Sequence, residues 1–293
     1  MAITASLVKE LRERTGAGMM ECKKALTETD GNIENAIELM RKSGAAKADK
    51  KAGRIAAEGI IAIQHSEDHK TVVMVEINCE TDFVAKDDNF TGFCDAVANR
   101  ALNSDVTDVA SLLALPIHDG EETTIEEARQ ALISKIGENM NVRRFERMNA
   151  TGQTGSYIHG VKIGVIVDLV GGDDALAKDI AMHAAATNPM CISEDQVPQS
   201  ELDKEKDIFV AQAKESGKPD EIIEKMVVGR MKKFLAGITL VGQPFVKDPD
   251  QTVGKLLKSN NASVASYIRY EVGDGIEKKQ EDFAAEVMAQ VKG

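Results

Sequence analysis

Three residues have side chains suited to covalent chemistry and fall at corresponding places in two similar parts of the chain. Cys79 and Asp82 follow one apolar stretch, and His159 ends the other. A cysteine nucleophile needs a base within hydrogen-bond reach and donors for an oxyanion, so this set would suit a thiol hydrolase. Cys79 closes an apolar run, however, which is typical of a buried thiol. Thiol hydrolysis is therefore the weaker interpretation.

A second candidate is the acidic connection that contains Asp82 and Phe83. It lies between an expected strand and an expected helix, with Glu80, Asp87 and Asp88 around it. Connections of this kind often carry working residues. Phe83 either projects from the connection or tucks back as a hydrophobic staple of the helix that follows. The local pattern alone leaves both interpretations open.

Several common cofactor motifs are missing from the sequence. There is no GxxxxGK[ST], GxGxxG or HExxH, and the five histidines are widely spaced. Neither a nucleotide cofactor nor a metal site is predicted. The four cysteines form no CxxC pair, which favours reduced thiols in the cytosol over a disulfide framework.

Composition narrows the function classes further. The 293 residues are 43% hydrophobic, with net charge -12. Because such a charge repels phosphate backbones, a general nucleic-acid binder is disfavoured. Residues 1–54 differ, with 11 Lys and Arg against 8 Asp and Glu; this basic part is either a separate contact surface or a solvated helix face. No leader or membrane span is recognised, so we expect a cytoplasmic protein.

The elements that must position these residues begin with three short helices. Apolar residues recur at helical spacing over Ala5–Arg14, Met19–Leu26 and the stretch from Ile33 to Met40. Breaks fall at Thr15–Gly18 and at Asp30–Asn32. Ala45–Arg54, rich in Ala and Lys, is the predicted linker to the next part of the chain.

The middle of the chain changes to strand periodicity and then repeats itself. Strands at Gly59–Gln64 and Thr71–Asn78 precede the acidic connection and a helix with Phe90, Phe93, Val97 and Ala101 on one face. A helix at Ile125–Gly137 and a strand at Asn141–Arg147 follow. The order strand, strand, acidic loop, helix recurs at Ser156–His159, Lys162–Leu169, Gly171–Asp174 and Ala175–Ala186. A duplicated half-domain and an α+β fold with antiparallel sheets are predicted.

The remainder contains a charged helical hairpin and a return to the sheet. Two helices between Ser200 and Phe234 are separated at Ser216–Pro219. Their apolar seam either pairs with a second copy or folds onto its own domain. Strands at Ile238–Phe245 and Val264–Val272, and a terminal amphipathic helix at Ile276–Lys292, complete the prediction.

Two long stretches resemble signatures of the elongation factor Ts family. Leu11–Leu26 is similar to its opening signature and Asn78–Ala85 to its second. Shorter agreements follow in order at Ser156–Gly160, Gly229–Phe234 and Gly242–Val246. The resemblance covers essentially the whole chain, although the loop at Pro116–Glu122 is longer than is usual in the family.

The resemblance implies a particular domain organisation. Residues 1–54 would form a ubiquitin-associated-like three-helix bundle, here called the head. Residues 55–150 would form the first core half, and 151–192 with 236–273 the related second half. Residues 193–235 would be a coiled-coil hairpin used in dimerisation, and 274–293 a C-terminal helical module.

The resemblance also implies a function and site residues. The family exchanges guanine nucleotide on the GTPase elongation factor Tu and is not an enzyme in the reaction sense. Residues Thr81, Asp82, Phe83 and Val84 would displace Mg²⁺ in that partner. Contacts to it would come from Leu11, Arg12, Met19, Met20 and His159. A scaffold that binds a GTPase without exchanging its nucleotide is the alternative that the sequence leaves open.

Overall fold

The computed structural model describes residues 3–277 as helices combined with antiparallel strands, which confirms the predicted α+β class. The helices are α1 (Ala5–Thr15), α2 (Met19–Glu28), α3 (Ile33–Lys51), α4 (Asp88–Leu102), α5 (Val109–Leu113), α6 (Ile125–Ile136), α7 (Asp174–Thr187), α8 (Gln199–Lys214), α9 (Asp220–Ile238) and α10 (Val253–Ser259). The strands are β1 (Glu58–His65), β2 (Thr71–Cys79), β3 (Met140–Asn149), β4 (Gln153–His159), β5 (Ile163–Val170), β6 (Pro244–Phe245), β7 (Asp248–Thr252) and β8 (Ser263–Glu271).

The described residues divide into two compact units. The first unit holds residues 3–64, 73–146 and 271–277. The second unit holds residues 65–72 and 147–270. Across residues 3–277, no helix is long and apolar enough to cross a bilayer.

Three helices open the first unit, as predicted. The Thr4 hydroxyl accepts a hydrogen bond from the Leu7 amide and caps α1, and Gly16, with a φ of 65°, ends that helix. The three helices bury a small apolar cluster of Val8, Leu11, Cys22, Ala25, Leu26 and Ala36. The predicted break between α1 and α2 follows from the left-handed glycine at position 16.

The predicted linker at Ala45–Arg54 is wrong over most of its length, because α3 continues to Lys51. Ala and Lys are strong helix formers, and the extension is held by tertiary contacts. Ala48 is buried in the core of the first unit, and Lys47 pairs with Glu21 and donates to the Ser134 hydroxyl. The head therefore runs into the core as a continuous helix.

The sheet of the first unit has the order β1-β2-β3. Helix α4 buries the residues predicted to line one face, Phe90, Phe93, Val97 and Ala101. Thr124 and Glu127 form a capping box that starts α6. These helices share one core with Val73, Val75 and Ile77 of β2, so the end of β2 is rigidly supported.

The second unit repeats the order of two strands and a helix. Strands β4 and β5 pair antiparallel from Gln153↔Leu169 to His159↔Ile163, and β8 completes the sheet in the order β4-β5-β8. Helix α7 lies directly on β4, because a Cβ at Gly155 would stand 2.6 Å from the Cβ of Ala177. The small residue permits this close packing.

Helices α8 and α9 form the predicted hairpin. Ala213, Ile223 and Val227 are buried in its seam. The rings of Phe209 and Phe234 meet edge to face with centroids 6.3 Å apart. Three large apolar residues of the hairpin remain exposed: Ile208, Ile222 and Val228.

The strand predicted at Ile238–Phe245 is wrong. Helix α9 extends to Ile238, and only Pro244–Phe245 pairs as a strand, with β7. Buried Gln243 hydrogen-bonds His183, and the amides of Leu240 and Val241 donate to carbonyls of residues 191 and 192. Leu240 is therefore buried outside any strand, beside an isolated parallel bridge between Thr239 and Cys191. The strand predicted at Val264–Val272 is confirmed as β8; the terminal helix predicted at Ile276–Lys292 lies outside the described residues from position 278 onward.

Candidate functional site

The connection after β2, here called the Phe83 loop (residues 80–87), exposes an aromatic ring. Phe83 is 81% exposed, the highest value among the exposed large apolar side chains of the described residues. Its neighbours Val84 and Ala85 are 8% and 3% exposed. Phe83 therefore projects from the loop, and the interpretation as a staple tucked against the following helix is wrong.

Local hydrogen bonds explain why the ring points outward. Residues Val84–Lys86 form a 3-10 turn that Phe83 enters with helical backbone angles. The Ala85 amide donates to the Thr81 carbonyl over 3.2 Å, and the Lys86 amide donates to the Phe83 carbonyl over 3.1 Å. Because this turn directs Val84 and Ala85 into the core, the side chain before them faces solvent.

Charged neighbours flank the exposed ring. Lys86 Nζ lies 2.8 Å from Asp82 Oδ2, and both side chains are at least half exposed. An ion pair this open contributes little to stability. Asp87 caps α4 through the amides of Asn89 and Phe90, and the side-chain hydrogen bond from Asn89 lowers the pKa of its carboxyl. The loop thus presents an exposed aromatic ring between charged side chains.

The Glu138 carboxylate holds the Phe83 loop through hydrogen bonds, and the sequence pattern did not identify this residue. Its carboxylate accepts hydrogen bonds from the Glu80 amide at 3.1 Å, the Thr81 amide at 3.0 Å and the Thr81 hydroxyl at 2.7 Å. The residue follows Gly137, which ends α6 with a φ of 96°. A charged side chain between the expected helix at Ile125–Gly137 and the expected strand at Asn141–Arg147 was the available signal.

Cys79 cannot serve as an activated nucleophile in this environment. Its thiol is buried and donates to the Thr81 carbonyl over 3.1 Å. Burial, reinforced by the charges of Glu138 and Glu58, raises the pKa of Cys79 to about 12. A nucleophilic cysteine needs a depressed pKa instead. The geometry therefore argues against the thiol hydrolase, and among residues 3–277 no group of three or more His, Cys, Asp or Glu side chains could hold a metal ion.

The predicted contact residues of the head divide into exposed and buried ones. Met19 and Met20 open α2 and are 61% and 75% exposed, and Arg12 is exposed on α1. Leu11 is fully buried in the core of the head. Its side chain is not available to a partner in this structure, whereas the two methionines form an accessible apolar surface.

His159 lies in the second unit, at the turn that joins β4 to β5. The ring is exposed, and its Nδ1 lies 3.3 Å from the Tyr157 hydroxyl. Ile158 and Val161 beside it are also exposed. The turn therefore displays a small mixed surface of one imidazole and two aliphatic side chains.

An exposed aromatic loop, an exposed methionine pair and a buried, unreactive thiol are features of a protein that works through contacts with another macromolecule. A family model described as "Elongation factor TS" matches residues 80–274. Relatives named elongation factor Ts align over the full chain. The protein from Thioalkalivibrio sulfidiphilus is 65% identical, with 100% of both chains covered. The protein from Methylococcus capsulatus is 62% identical, covering 100% of this chain and 99% of its own.

These matches place the chain among the factors of translation elongation. More narrowly, it belongs to the elongation factor Ts family. Its role is that of a nucleotide exchange factor in translation elongation.

Proposed function

We propose that the chain binds elongation factor Tu in its GDP form and uses Phe83 to loosen the Mg²⁺ that helps hold GDP. The observation that carries this proposal is the 81% exposure of a phenylalanine on a loop whose neighbouring residues are fixed in the core. Exposing a large aromatic ring to water is unfavourable, so a ring that is exposed in the free protein favours burial against a partner.

The energetic argument concerns the site on the partner. In a GTPase, Mg²⁺ offsets the charge of the nucleotide phosphates. A ring inserted between packed helices beside that site gains about 1.5–3 kcal/mol from its own burial. That gain is available to displace the groups that order the ion. With the ion loosened, phosphate repulsion is less screened and GDP leaves faster.

Each residue of the loop has a role in this proposal. Phe83 enters the partner, and Asp82 rearranges the polar groups near the metal. Thr81 and Val84 keep the connection in shape, Thr81 through Glu138 and Val84 through its burial in the core. The protein itself needs no cofactor or metal for this mechanism.

The remaining contacts come from the head and from the second unit. Met19, Met20 and Arg12 bind the GTP-binding domain, with Leu11 supporting them from inside the head. His159 contacts another domain of the partner. Methionine side chains suit this task because they adapt to an apolar surface without fixed shape.

The finer architecture belongs to the same proposal. Residues 1–54 are a ubiquitin-associated-like bundle; 55–150 and 151–192 with 236–273 are related core halves; 274–293 are a C-terminal module that also grips the partner. Residues 193–235 act as a coiled-coil hairpin that pairs with a second copy. The exposed Ile208, Ile222 and Val228 support that pairing, which sedimentation of the full chain tests. We place the protein in the cytoplasm without contacts to nucleic acid.

Thermodynamic linkage sets the terms of the exchange. Whatever factor this protein removes from the affinity for nucleotide, nucleotide removes from the affinity for this protein. Exchange therefore passes through a complex of both proteins with nucleotide, and excess GTP completes the cycle. No covalent bond is made or broken.

Release of labelled GDP from elongation factor Tu tests the proposal. Catalytic amounts of the protein should speed release, and Phe83→Ala should slow it by about tenfold or more, since the burial gain of the ring is lost. Met190→Ala is the matched control, because it shortens another exposed apolar side chain, which is 50% exposed in the second unit. Equal release with Phe83→Ala and the intact protein would refute the role of Phe83; binding without any change in GDP release would favour the scaffold.

A further inference from the structure

Two carboxylates on neighbouring segments each bind the backbone of the other segment. Glu138 accepts from the amides of Glu80 and Thr81, as described above. In return, the Asn139 amide donates to Glu80 Oε1 over 2.6 Å. We propose that Glu138 is a positioning residue for nucleotide exchange: together with Glu80 it fixes the direction in which Phe83 projects. This inference rests on the proposed role of Phe83.

Thr81 is the point through which Glu138 acts. Its amide and hydroxyl both donate to Glu138, and its carbonyl accepts from the Ala85 amide and the Cys79 thiol. The hydroxyl oxygen also accepts from the Val84 amide over 3.4 Å. Every polar group of Thr81 is therefore engaged two residues before the exposed ring. Three donors converge on Glu138, and its two carboxyl oxygens accept all three.

The turn at residues 137–139 also binds the end of α3 and the residues that follow it. Asn139 Nδ2 donates to the carbonyls of Arg54 at 2.8 Å and Ala52 at 3.4 Å. Lys51 donates to the Gly137 carbonyl, and Arg54 lies 3.6 Å from Glu80. The exit of the head and the Phe83 loop thus share one support at residues 137–139. Head residues that contact the partner would therefore keep a fixed position relative to the Phe83 ring.

The substitution Glu138→Gln tests the inference with little change of shape. In the orientation that keeps the amide oxygen against the Glu80 and Thr81 N–H groups, the amide nitrogen meets the Thr81 hydroxyl, so the hydrogen bond that this hydroxyl donates is lost. We expect the exchange rate at saturating factor to fall by about tenfold, as for a misplaced contact group, while the half-saturating concentration changes by less than about twofold. Glu146→Gln, the same change at an exposed residue of β3, should leave both values unchanged.

A double-mutant cycle separates positioning from general damage. If Glu138 acts through Phe83, the variant carrying both Glu138→Gln and Phe83→Ala should be no slower than Phe83→Ala alone. The inference would be overturned if the double variant were slower than Phe83→Ala by the same factor that Glu138→Gln alone loses. It would also be overturned if Glu138→Gln exchanged nucleotide as fast as Glu146→Gln. Should Glu138→Gln fail to fold, Thr81→Val is judged by the same criteria; it removes the hydroxyl that donates to Glu138 at 2.7 Å and accepts from the Val84 amide at 3.4 Å.

A fluorescent reporter makes the test independent of exchange. The sequence contains no tryptophan, so Phe83→Trp introduces a single indole at the tip of the loop. Adding Glu138→Gln should lower the time-resolved anisotropy of that indole in the free protein; unchanged anisotropy would overturn the inference. If Phe83→Ala leaves GDP release unchanged, the proposed role of Phe83 is refuted. The role of Glu138 in exchange is then overturned as well, and lowered anisotropy would show only that Glu138 holds the loop.

Discussion

Glu76 is fully buried in the first unit and is held by four donors. Oε1 accepts from Asn78 Nδ2 at 3.0 Å, Arg143 Nη1 at 2.9 Å and the Gly273 amide at 2.9 Å. Oε2 accepts from Arg144 Nε at 2.6 Å. The residue therefore joins β2, β3 and the segment after β8 into one structure, and we predict that Glu76→Gln loosens that junction.

The magnitude follows from counting these donors. With the amide oxygen of glutamine facing the three donors at the Oε1 position, the amide nitrogen meets Arg144 Nε, so one charge-assisted hydrogen bond is lost. The two arginine side chains are 27% and 33% exposed, and water offsets part of the uncompensated charge. We expect a loss of about 2–4 kcal/mol in the free energy of unfolding of this unit.

The pH dependence gives a sharper test. Burial alone would raise the pKa of Glu76, but hydrogen bonds from Gly273, Asn78 and the two arginines outweigh it and hold the pKa below its ordinary value of 4.5. A lowered pKa means that the stabilisation is complete above the unfolded value and is lost as the pH falls through the folded value. The difference between intact protein and Glu76→Gln should therefore be full at neutral pH and shrink below pH 4.5.

Pulsed modification of Cys94 in increasing urea with a pyridyl disulfide, which still reacts with thiols in acid, measures this loss of stability, because Cys94 is buried in the core of the first unit. It reports that unit alone, which matters when a chain of two units need not unfold in one step. Glu146→Gln serves again as the exposed control. A loss below about 0.5 kcal/mol, within the range of ordinary surface substitutions, would refute the reasoning; so would a difference that stays constant in acid.

Two further predictions concern backbone and thiol chemistry. Gly59→Ala should destabilise the first unit by more than about 2 kcal/mol, because φ at Gly59 is 141° and the new Cβ would stand 2.1 Å from the Ile77 carbonyl oxygen. Gly92 lies on α4 with open space around it, so Gly92→Ala should stabilise the unit by about 0.5–1 kcal/mol. Urea unfolding of the two variants measures both changes. Cys79, with its pKa raised from 9.0 to about 12, should alkylate about a thousandfold more slowly than an ordinary thiol, and mass spectrometry should find half-buried Cys191 modified first.

Periodicity predicted most helices of this fold because the pattern and the burial agree. In α4 the four residues predicted to share a face are all buried, and in the head the glycine at position 16 ends α1 where the pattern breaks. The errors occur where tertiary contacts decide. Residues 45–51 are helical because Ala48 packs into the core. Leu240 is apolar because it is buried in a loop together with Thr239 and Gln243, and not because it belongs to a strand.

The candidate site was only partly predictable for the same reason. Local pattern identified Phe83 but left its direction open, since the choice depends on how Val84 and Ala85 meet the core. Glu138 lies 57 residues from Thr81 in sequence, and its role exists only after α6 and β3 bring the segments together. Leu11 falls within a signature of predicted contacts, yet helical spacing places it on the inner face of the head.

Rigidity of the Phe83 loop decides whether an exposed ring can do work on a partner. Burying the ring yields about 1.5–3 kcal/mol, while ordering a mobile residue costs about 1–2 kcal/mol for the backbone alone. On a flexible loop of several residues the second quantity would exceed the first. Here Val84 and Ala85 are already packed and Thr81 is already hydrogen-bonded to Glu138. The ordering cost was met when the protein folded, so the burial energy of Phe83 remains available to displace the groups it enters.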